Sequence, residues 1–331
     1  MIGVGLIGYG YWGPKLARNL AASGARLAAV CDQREDRLRL ALAQFPEAEP
    51  ARRWSELLRN PGVEAVVLAT PPTTHFEIGR GSLAAGKHVL IEKPITTTSD
   101  DAARLIEAAA RRGLTLMVDH TFLYTDSIQR VRRMVAEGSL GDLVCYDGVR
   151  IGPRPASTDV DVVWDLATHD LAIIDYLFGL RPDGVAAAGI VPAGGPPVED
   201  AHLTLKLGSR LVRLHVSWLS PVKVRRILIA GSRRTIVYDE MTSGEKIQVQ
   251  DREASADGYP EAARGEPPAS RIAAGEALAA VTREFLDCIA TGRRPVSDGE
   301  AGRHIVQILE VASASLAQGG RMLRFPDGLP M

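Results

Sequence analysis

Three groups of residues in this 331-residue chain have types and spacings that suit chemistry. The first is Lys93, which stands between Glu92 and Pro94 directly after a short apolar run. In an open α/β sheet, ligands bind outside the carboxyl ends of the strands. A lysine held there by a rigid turn can stabilise negative charge on a reacting oxygen. The alternative interpretation is that Lys93 is an ordinary lysine of a surface loop.

The second group is Asp165 with His169. These residues are four positions apart in a predicted helix over Trp164–Phe178, so they share one helix face. Histidine is the usual side chain for proton transfer near neutral pH. A carboxylate one turn earlier can orient the histidine or hold a substrate hydroxyl. Alternatively, Asp165 caps the helix and His169 is a structural histidine.

The third group is the glycine pattern Gly8-x-Gly10-x-x-Gly13, which follows a predicted strand and opens a predicted helix. The first glycine permits a tight turn, the second lets a pyrophosphate approach the backbone, and the third lets the helix pack on the strand. The free N–H groups at a helix N-terminus favour an anion. The pattern therefore predicts dinucleotide binding, with Tyr11 and Trp12 beside the cofactor. Alternatively, it is a glycine-rich turn of another α/β protein.

A carboxylate at the end of the second predicted strand indicates which dinucleotide binds. Asp32 lies 19 residues after Gly13, close to the spacing of about 20 typical of the acid that binds the ribose 2′-hydroxyl. Its charge would repel a 2′-phosphate, so NAD is favoured over NADP. Arg34 argues the other way, because a nearby arginine can accommodate that phosphate.

The loop after the third long strand contains Thr70, Pro71 and His75. The prolines hold this loop extended. We expect the loop to lie beside the nicotinamide end of the cofactor, with Thr70 and Pro71 as contacts. His75 either touches cofactor or substrate or begins the next helix.

The predicted elements divide the chain near residue 120. Strands and helices alternate before that point, which is typical of a doubly wound parallel sheet. Strand-like runs joined by short connections dominate afterwards, which indicates antiparallel neighbours. We predict a dinucleotide-binding Rossmann domain over residues 1–120. Residues 121–331 would form an α/β domain for substrate binding and oligomerisation, with its C-terminal helices packing back towards the first domain.

Composition excludes several classes of function. Lysine and arginine total 39 against 40 acidic residues, which argues against nucleic acid or a membrane as partner. Three isolated cysteines, Cys31, Cys145 and Cys288, predict neither a disulfide framework nor a zinc site. No leader or transmembrane segment is recognisable in the sequence. We therefore expect a cytoplasmic protein with no metal.

Taken together, these motifs resemble the Gfo/Idh/MocA oxidoreductase family in order and spacing. The resemblance rests on the glycine loop, on Ala69-Thr70-Pro71, on Glu92-Lys93-Pro94 and on Asp165-x-x-x-His169. The start Gly-Tyr-Trp-Gly-Pro and the run His120–Tyr124 are most similar to its sugar and sugar-nucleotide dehydrogenases. The resemblance implies a Rossmann domain followed by an α/β domain with a large, open, mostly antiparallel sheet. It also implies a homodimer or homotetramer formed through that sheet.

The resemblance places the catalytic lysine, acid and histidine of the family on Lys93, Asp165 and His169. It implies hydride transfer between nicotinamide and a secondary hydroxyl or ketone of a sugar, nucleotide sugar or cyclitol. His169 would move the hydroxyl proton, Lys93 would donate to the same oxygen, and Asp165 would orient His169 or bind a neighbouring hydroxyl. Glu92 and Lys93 are also expected at the cofactor. The predicted substrate contacts are His120, Tyr124, Arg150, Asp161 and Trp164, and Arg150 suits a phosphate or carboxylate.

Two alternatives remain open at this stage. One is glycosidase chemistry on the same fold, in which bound NAD is reduced and regenerated within each turnover. The other is a non-catalytic NAD-binding regulator, for which the glycine loop alone would suffice. Lys93, Asp165 and His169 argue against the regulator.

Overall fold

The computed structural model describes residues 1–154, 159–190, 197–252 and 276–325. The chain separates into two compact units. The first unit comprises residues 1–124 and 275–307, and the second comprises residues 125–274 and 308–331.

The strands form two sheets. In chain order they are β1 (Gly3–Ile7), β2 (Arg26–Cys31), β3 (Glu49–Ala51), β4 (Ala65–Leu68), β5 (His88–Glu92), β6 (Leu116–Asp119), β7 (Leu143–Pro153), β8 (Gly184–Ile190), β9 (Asp200–Leu207), β10 (Arg210–Ser217), β11 (Leu219–Gly231), β12 (Arg234–Asp239), β13 (Ile247–Asp251) and β14 (Leu323–Arg324).

The α-helices of the described residues are α1 (Gly13–Ala22), α2 (Glu35–Gln44), α3 (Trp54–Leu57), α4 (His75–Ala84), α5 (Ser99–Ala110), α6 (Asp126–Ala136), α7 (Thr168–Phe178), α8 (Ala277–Thr291) and α9 (Gly299–Ala317). Short 3-10 helices lie at Pro72–Thr74 and Thr121–Tyr124, and a single π-helical turn lies at Val163–Ala167.

The first unit is built on a six-stranded sheet of order β3-β2-β1-β4-β5-β6. Every pairing in it is parallel. The core lies between the strands, α1 and α8, where Leu6, Leu16, Val67 and Phe285 are fully buried. The strand order reverses between β1 and β4, since β2 and β3 follow on one side of β1 while β4 to β6 follow on the other, and ligands of doubly wound sheets bind at such a point. This is the predicted Rossmann architecture.

The second unit is built on an eight-stranded sheet of order β13-β12-β11-β7-β10-β9-β8-β14. Its pairings are antiparallel except for β7 with β10. Helix α7 lies against one face of this sheet, where Tyr146 and Arg150 of β7 contact it. The predicted α/β class with a large, mostly antiparallel second sheet is therefore confirmed.

The helix predicted over Trp164–Phe178 has two parts. Its first turn, Val163–Ala167, is π-helical, and regular α-helix begins only at Thr168. Asp165 therefore lies in the π-turn and His169 in the α-helix. Single π-turns occur frequently at functional sites.

None of the helices in the described part of the chain combines the length and apolar composition that crossing a membrane requires. The three cysteines are free thiols.

Candidate active site

The glycine loop connects β1 to α1 and contacts the end of β2. The Tyr9 N–H donates to Asp32 Oδ2 over 2.7 Å, and the Gly8 N–H donates to the Cys31 carbonyl over 2.8 Å. Gly8 has a φ of +95°, and a Cβ there would lie 2.5 Å from the Ala69 carbonyl oxygen. A Cβ on Gly13 would lie 2.4 Å from the Gly8 carbonyl oxygen. The fold itself therefore requires both glycines.

Gly10 differs from Gly8 and Gly13 because the surrounding protein leaves room for a side chain there. A Cβ added at Gly10 would meet no described protein atom within 4 Å. Close packing of the protein therefore gives no reason for a glycine here, whereas approach of a ligand to the backbone does. Among the described residues, no side chain caps the N-terminus of α1, and Pro14 occupies its first turn. This open backbone suits the pyrophosphate of a dinucleotide. Tyr11 and Trp12 are both exposed beside it.

The carboxylate of Asp32 is fixed beside this loop, because its Oδ1 accepts the Arg34 N–H over 2.9 Å while Oδ2 accepts that of Tyr9. The Arg34 side chain is engaged elsewhere. Its guanidinium contacts Asp36 through Nε–Oδ1 at 3.1 Å and through a second bond of 2.7 Å. The acid predicted to bind the ribose is thus in position, and the arginine predicted to oppose it is paired with another acid.

His75 is fully buried at the first residue of α4. Its Nδ1 lies 2.8 Å from the Pro94 carbonyl oxygen and its Nε2 lies 2.9 Å from the Thr70 carbonyl oxygen. The ring therefore joins the loop after β4 to the Lys93-Pro94 turn after β5, and the peptide bond of that turn is cis. Through these contacts His75 holds two predicted cofactor-binding segments together.

Lys93 follows a pair of buried carboxyl groups. Glu92 ends β5 and Asp119 ends β6, and the two residues are opposite each other in the parallel register. Glu92 is 8% exposed and Asp119 is 1% exposed. Burial, followed by the charge of Asp119, raises the pKa of Glu92 well above its usual value. Burial also raises the pKa of Asp119, although the Thr121 hydroxyl donates to it over 2.6 Å.

Two buried carboxylates side by side cannot both ionise at low cost, so we infer that the pair retains one proton. The positive charge of Lys93 acts on both groups and favours the remaining negative charge. The arrangement places a lysine beside one compensating negative charge at the carboxyl edge of the sheet.

His120 belongs to the same cluster. It is 3% exposed, and neither ring nitrogen has a hydrogen-bond partner among the described residues. Burial, and then repulsion from Lys93, lowers the pKa of His120 to about 3, so the ring is neutral. A buried polar group without a partner costs about 1–3 kcal/mol. A neutral imidazole offers one donor and one acceptor, which suits a hydroxyl group.

In the second unit, Asp161 caps the π-turn. Its Oδ1 accepts the N–H groups of Val163 and Trp164 over 2.9 and 3.1 Å. Burial raises the pKa of Asp161 although these two bonds oppose the shift. Asp165 is held differently, because its Oδ2 accepts the indole N–H of Trp218 over 3.2 Å.

The residue after His169 anchors the start of α7 to the sheet. Asp170 accepts the Tyr146 hydroxyl over 2.9 Å and the Arg150 Nε–H over 2.8 Å. All three side chains are buried. Removing one partner of a buried ion pair costs about 3–5 kcal/mol. This network therefore fixes the backbone that carries His169, which is itself half-buried.

Four of the five predicted substrate contacts have partners within the protein, and the first of them is Asp161, which caps the π-turn. The Arg150 Nε binds Asp170, the Trp164 indole donates to Ser313 over 2.9 Å, and the Tyr124 hydroxyl lies 3.0 Å from that of Ser297. His120 is the predicted contact whose ring nitrogens lack such partners among the described residues.

Sequence reasoning missed Asp119, Asp170 and Trp218. Asp119 precedes His120 at the end of a predicted strand, so the sequence alone places a carboxylate at that strand end. Its pairing with Glu92 depends on sheet register, and the contact of Trp218 with Asp165 depends on tertiary packing.

Comparison with known proteins identifies the family of the chain. The profile of the "Oxidoreductase family, NAD-binding Rossmann fold" matches residues 2–120, and that of the "GFO/IDH/MocA C-terminal domain" matches residues 128–237. The UDP-N-acetylglucosamine 3-dehydrogenase of Acidithiobacillus ferrooxidans is 32% identical over 310 residues, which cover 91% of this chain and 93% of that protein.

Two further comparisons extend the similarity. A crystal form of the Acidithiobacillus ferrooxidans enzyme superimposes with a TM-score of 0.83 and 29% identity, covering 96% of this chain and 99% of that one. The scyllo-inositol 2-dehydrogenase (NADP(+)) of Bacillus subtilis is 26% identical over 250 residues, which cover 71% of this chain and 68% of that protein.

The fold and the site thus define an NAD-binding oxidoreductase, and the chain is an enzyme of the NAD(P)-dependent dehydrogenase and reductase class that acts on CH–OH groups. It belongs to the Gfo/Idh/MocA family.

Proposed function

We propose that this enzyme transfers a hydride between NAD(H) and a secondary hydroxyl or ketone of a sugar, nucleotide sugar or cyclitol. The observation that carries the proposal is the cluster of Lys93, the Glu92–Asp119 pair and the neutral His120 at the carboxyl ends of β5 and β6. When bound, the nicotinamide supplies the hydride acceptor or donor. The residues of the chain supply charge stabilisation, hydrogen bonds and proton transfer.

In the first unit, Lys93 donates a hydrogen bond to the reacting oxygen, where negative charge develops as the hydroxyl loses its proton. The Glu92–Asp119 pair holds one negative charge near this lysine. His120 binds a substrate hydroxyl with its neutral ring, since burial and Lys93 prevent its protonation at neutral pH.

In the second unit, we assign proton transfer to His169. We assign to Asp165 either the orientation of His169 or a hydrogen bond to a neighbouring substrate hydroxyl. The indole N–H of Trp218 restricts the Asp165 carboxylate to one direction. Asp170, Arg150 and Tyr146 position the start of α7 and hence the backbone of His169. Arg150 contributes to the site through its ion pair with Asp170. Contact of Arg150 with a substrate phosphate or carboxylate stays a prediction.

We assign cofactor binding to residues 1–120 and favour NAD over NADP. Gly10 and the free start of α1 accept the pyrophosphate, and Asp32 accepts the ribose hydroxyl. Thr70 and Pro71 form the neighbouring edge of the cofactor site, and the buried His75 acts through its contacts with Thr70 and Pro94. The pairing of Arg34 with Asp36 supports NAD, because the guanidinium that would bind a 2′-phosphate is already engaged.

The substrate class is supported by the relatives, whose names specify UDP-N-acetylglucosamine and scyllo-inositol as substrates. Both molecules carry several ring hydroxyls, which suits the hydrogen-bonding groups of Lys93 and His120 in the first unit and those of Asp165 and His169 in the second.

We also propose that the enzyme assembles as a homodimer or homotetramer through the second sheet. The outward face of this sheet, which is the face opposite the one that contacts α7, carries partly buried apolar side chains. They are Val149, Ile151, Val224 and Leu228. A cytoplasmic location is proposed as well, and the free thiols of Cys31, Cys145 and Cys288 are consistent with a reducing compartment.

A substrate panel tests the proposed reaction. The purified enzyme is incubated with NAD and with sugars, cyclitols and nucleotide sugars in turn, while absorbance of NADH is followed and glycoside cleavage is measured on the same samples. Stoichiometric NADH formation with at least one hydroxylated ring compound supports the proposal. Glycoside cleavage without net NADH would replace it with glycosidase chemistry, and cofactor binding without turnover on any compound would favour a regulator.

A further inference from the structure

Two histidines and an aspartate meet on the second sheet, although they are distant from one another in the sequence. Asp200 and His202 lie on β9, and His215 lies on β10. The antiparallel register places His202 directly opposite His215 and Asp200 opposite Ser217. One ligand atom from each of the three residues lies within 4.8 Å of the others.

All three side chains project from the same face of the sheet. Alternate residues of β9 are buried, as shown by Ala201, Leu203 and Leu205, so Asp200 and His202 belong to the opposite row. On β10, Val212, Leu214 and Val216 are buried in the same way, and His215 lies between two of them in the opposite row. The cluster therefore lies on the outward face, whereas Tyr146 and Arg150 of the neighbouring β7 contact α7 on the other face.

The three side chains are already arranged around one point. The rings of His202 and His215 are stacked, with centroids 4.1 Å apart and planes 9° apart. Asp200 Oδ2 lies 3.1 Å from His215 Nε2, and the Ser217 hydroxyl hydrogen-bonds to the same carboxylate. The aspartate is thus oriented towards the imidazoles, and Arg213, the nearest cation of that row on β10, is paired with Asp147 instead.

We propose that Asp200, His202 and His215 form a binding site for a divalent transition-metal ion such as Zn²⁺. Two imidazole nitrogens and one carboxylate oxygen are a ligand set that Zn²⁺ accepts, with bonds of about 2.0–2.2 Å. Tetrahedral geometry then requires donor atoms about 3.3 Å apart. The donor atoms now lie within 4.8 Å of one another, and Asp200 Oδ2 and His215 Nε2 are already 3.1 Å apart, so the proposal requires only a small further approach of the third donor. The fourth coordination position is left for water or an external ligand.

Such an ion would tie β9 to β10 on the outward face of the sheet. Within the second unit, the site lies on the face of the sheet opposite the one that contacts α7, the helix of His169, so we assign it a role in stabilising the second unit. The sequence predicted no metal because the two histidines are 13 residues apart and show no metal-binding motif, and only the hairpin register brings them together.

The test is calorimetric titration of tag-free, chelator-treated full-length enzyme with Zn²⁺. We expect one ion per chain. We expect His202→Ala and His215→Ala each to weaken Zn²⁺ binding by about 10- to 100-fold or more, since loss of a residue that only orients a metal ligand already weakens metal binding by that factor. At 100 times the dissociation constant, Zn²⁺ should raise Tm by roughly 5–10 °C. Thr204→Ala on the same face of β9 is the matched control and should bind like the wild type.

Because His202 is exposed in the single chain, its substitution should leave the fold of the chain intact, so His202→Gln tests the site even where His215→Ala destabilises the sheet. Equal Zn²⁺ affinity in the wild type and in His202→Gln overturns the proposal. Failure of the wild type to bind one ion per chain also overturns it. Dehydrogenase activity is not used as a readout, so the outcome is independent of the proposed reaction.

Discussion

Glu92 and Asp119 occupy opposite positions at the carboxyl ends of two adjacent parallel strands, and both carboxyl groups are buried. Lys93 follows the first of these residues and His120 follows the second. Lys93, the lysine of the proposed site, and a neutral imidazole are thus held by neighbouring strands, one residue beyond a pair of buried carboxyl groups with raised pKa values. Because of this relationship, we expect the free energy of unfolding to depend on pH and to change when Glu92 or His120 is replaced by an uncharged side chain of similar size.

Glu92→Gln should become more stable than the wild type as pH rises. The folded-state pKa of Glu92 is raised, so the folded protein retains a proton that the unfolded chain releases above its usual pKa of 4.5. Stability of the wild type therefore falls as pH increases through the folded pKa. Thermal unfolding measured over about four pH units, from about pH 5 to about pH 9, reports the difference in stability between the variant and the wild type. The exposed Glu77→Gln is the control, and parallel curves for the two variants would disprove the shared proton.

His120→Leu should stabilise the protein and impair catalysis. Removal of two buried nitrogens without partners should raise the free energy of unfolding by about 1–3 kcal/mol. The wild type should also lose stability as pH falls from 6.5 towards 3, because burial depresses the pKa of His120 and only the unfolded chain takes up the proton. The variant should lack that loss. Chemical denaturation and KM are measured together, and an unchanged KM would remove His120 from the substrate site.

Gly10→Ala and Gly13→Ala separate ligand binding from folding. The first adds a methyl group where no described atom lies within 4 Å, and the second adds one 2.4 Å from a carbonyl oxygen. Gly10→Ala should keep the Tm of the wild type and weaken NADH binding by about 10-fold or more, whereas Gly13→Ala should lower Tm. Fluorescence titration and calorimetry measure the two effects. Unchanged NADH affinity in Gly10→Ala would contradict the assigned pyrophosphate site.

The parts of the molecule that follow local rules were predictable from sequence. The glycine loop, the strand ends and the position of Lys93 depend on short segments, because strand and helix periodicity fix where each strand stops. The two-sheet architecture followed from the resemblance. Gly10 and Asp32 lie where those patterns place them, beside the same loop.

Features that depend on register and packing were not predictable. The pairing of Glu92 with Asp119 requires the alignment of two parallel strands, and the burial of Arg150 requires its partner Asp170 from a distant helix. The π-turn that carries Asp165 also has no simple sequence signal, so a single continuous helix was expected there. These are tertiary effects that residue spacing alone does not encode.

Asp32→Ser should shift cofactor preference towards NADP. The change removes the carboxylate that would repel a 2′-phosphate while leaving a group that can accept the Tyr9 N–H. We expect kcat/KM with NAD to fall by about 10-fold or more and the NADP/NAD ratio to rise, since one hydrogen bond to a charged group contributes about 1.5–3 kcal/mol. Asp36→Ser, which releases Arg34, should raise the ratio less. A ratio unchanged in Asp32→Ser would refute the ribose assignment.

The proposed hydride transfer is tested most directly by Lys93→Met, which keeps much of the side-chain volume and removes the donor. NADH affinity from fluorescence titration and kcat with the substrate found in the panel are measured on the same preparation, with the exposed Lys206→Met as control. We expect unchanged NADH binding and a fall in kcat of about 100- to 1000-fold, the effect of losing a donor aimed at developing negative charge. Wild-type turnover in Lys93→Met would contradict this expectation.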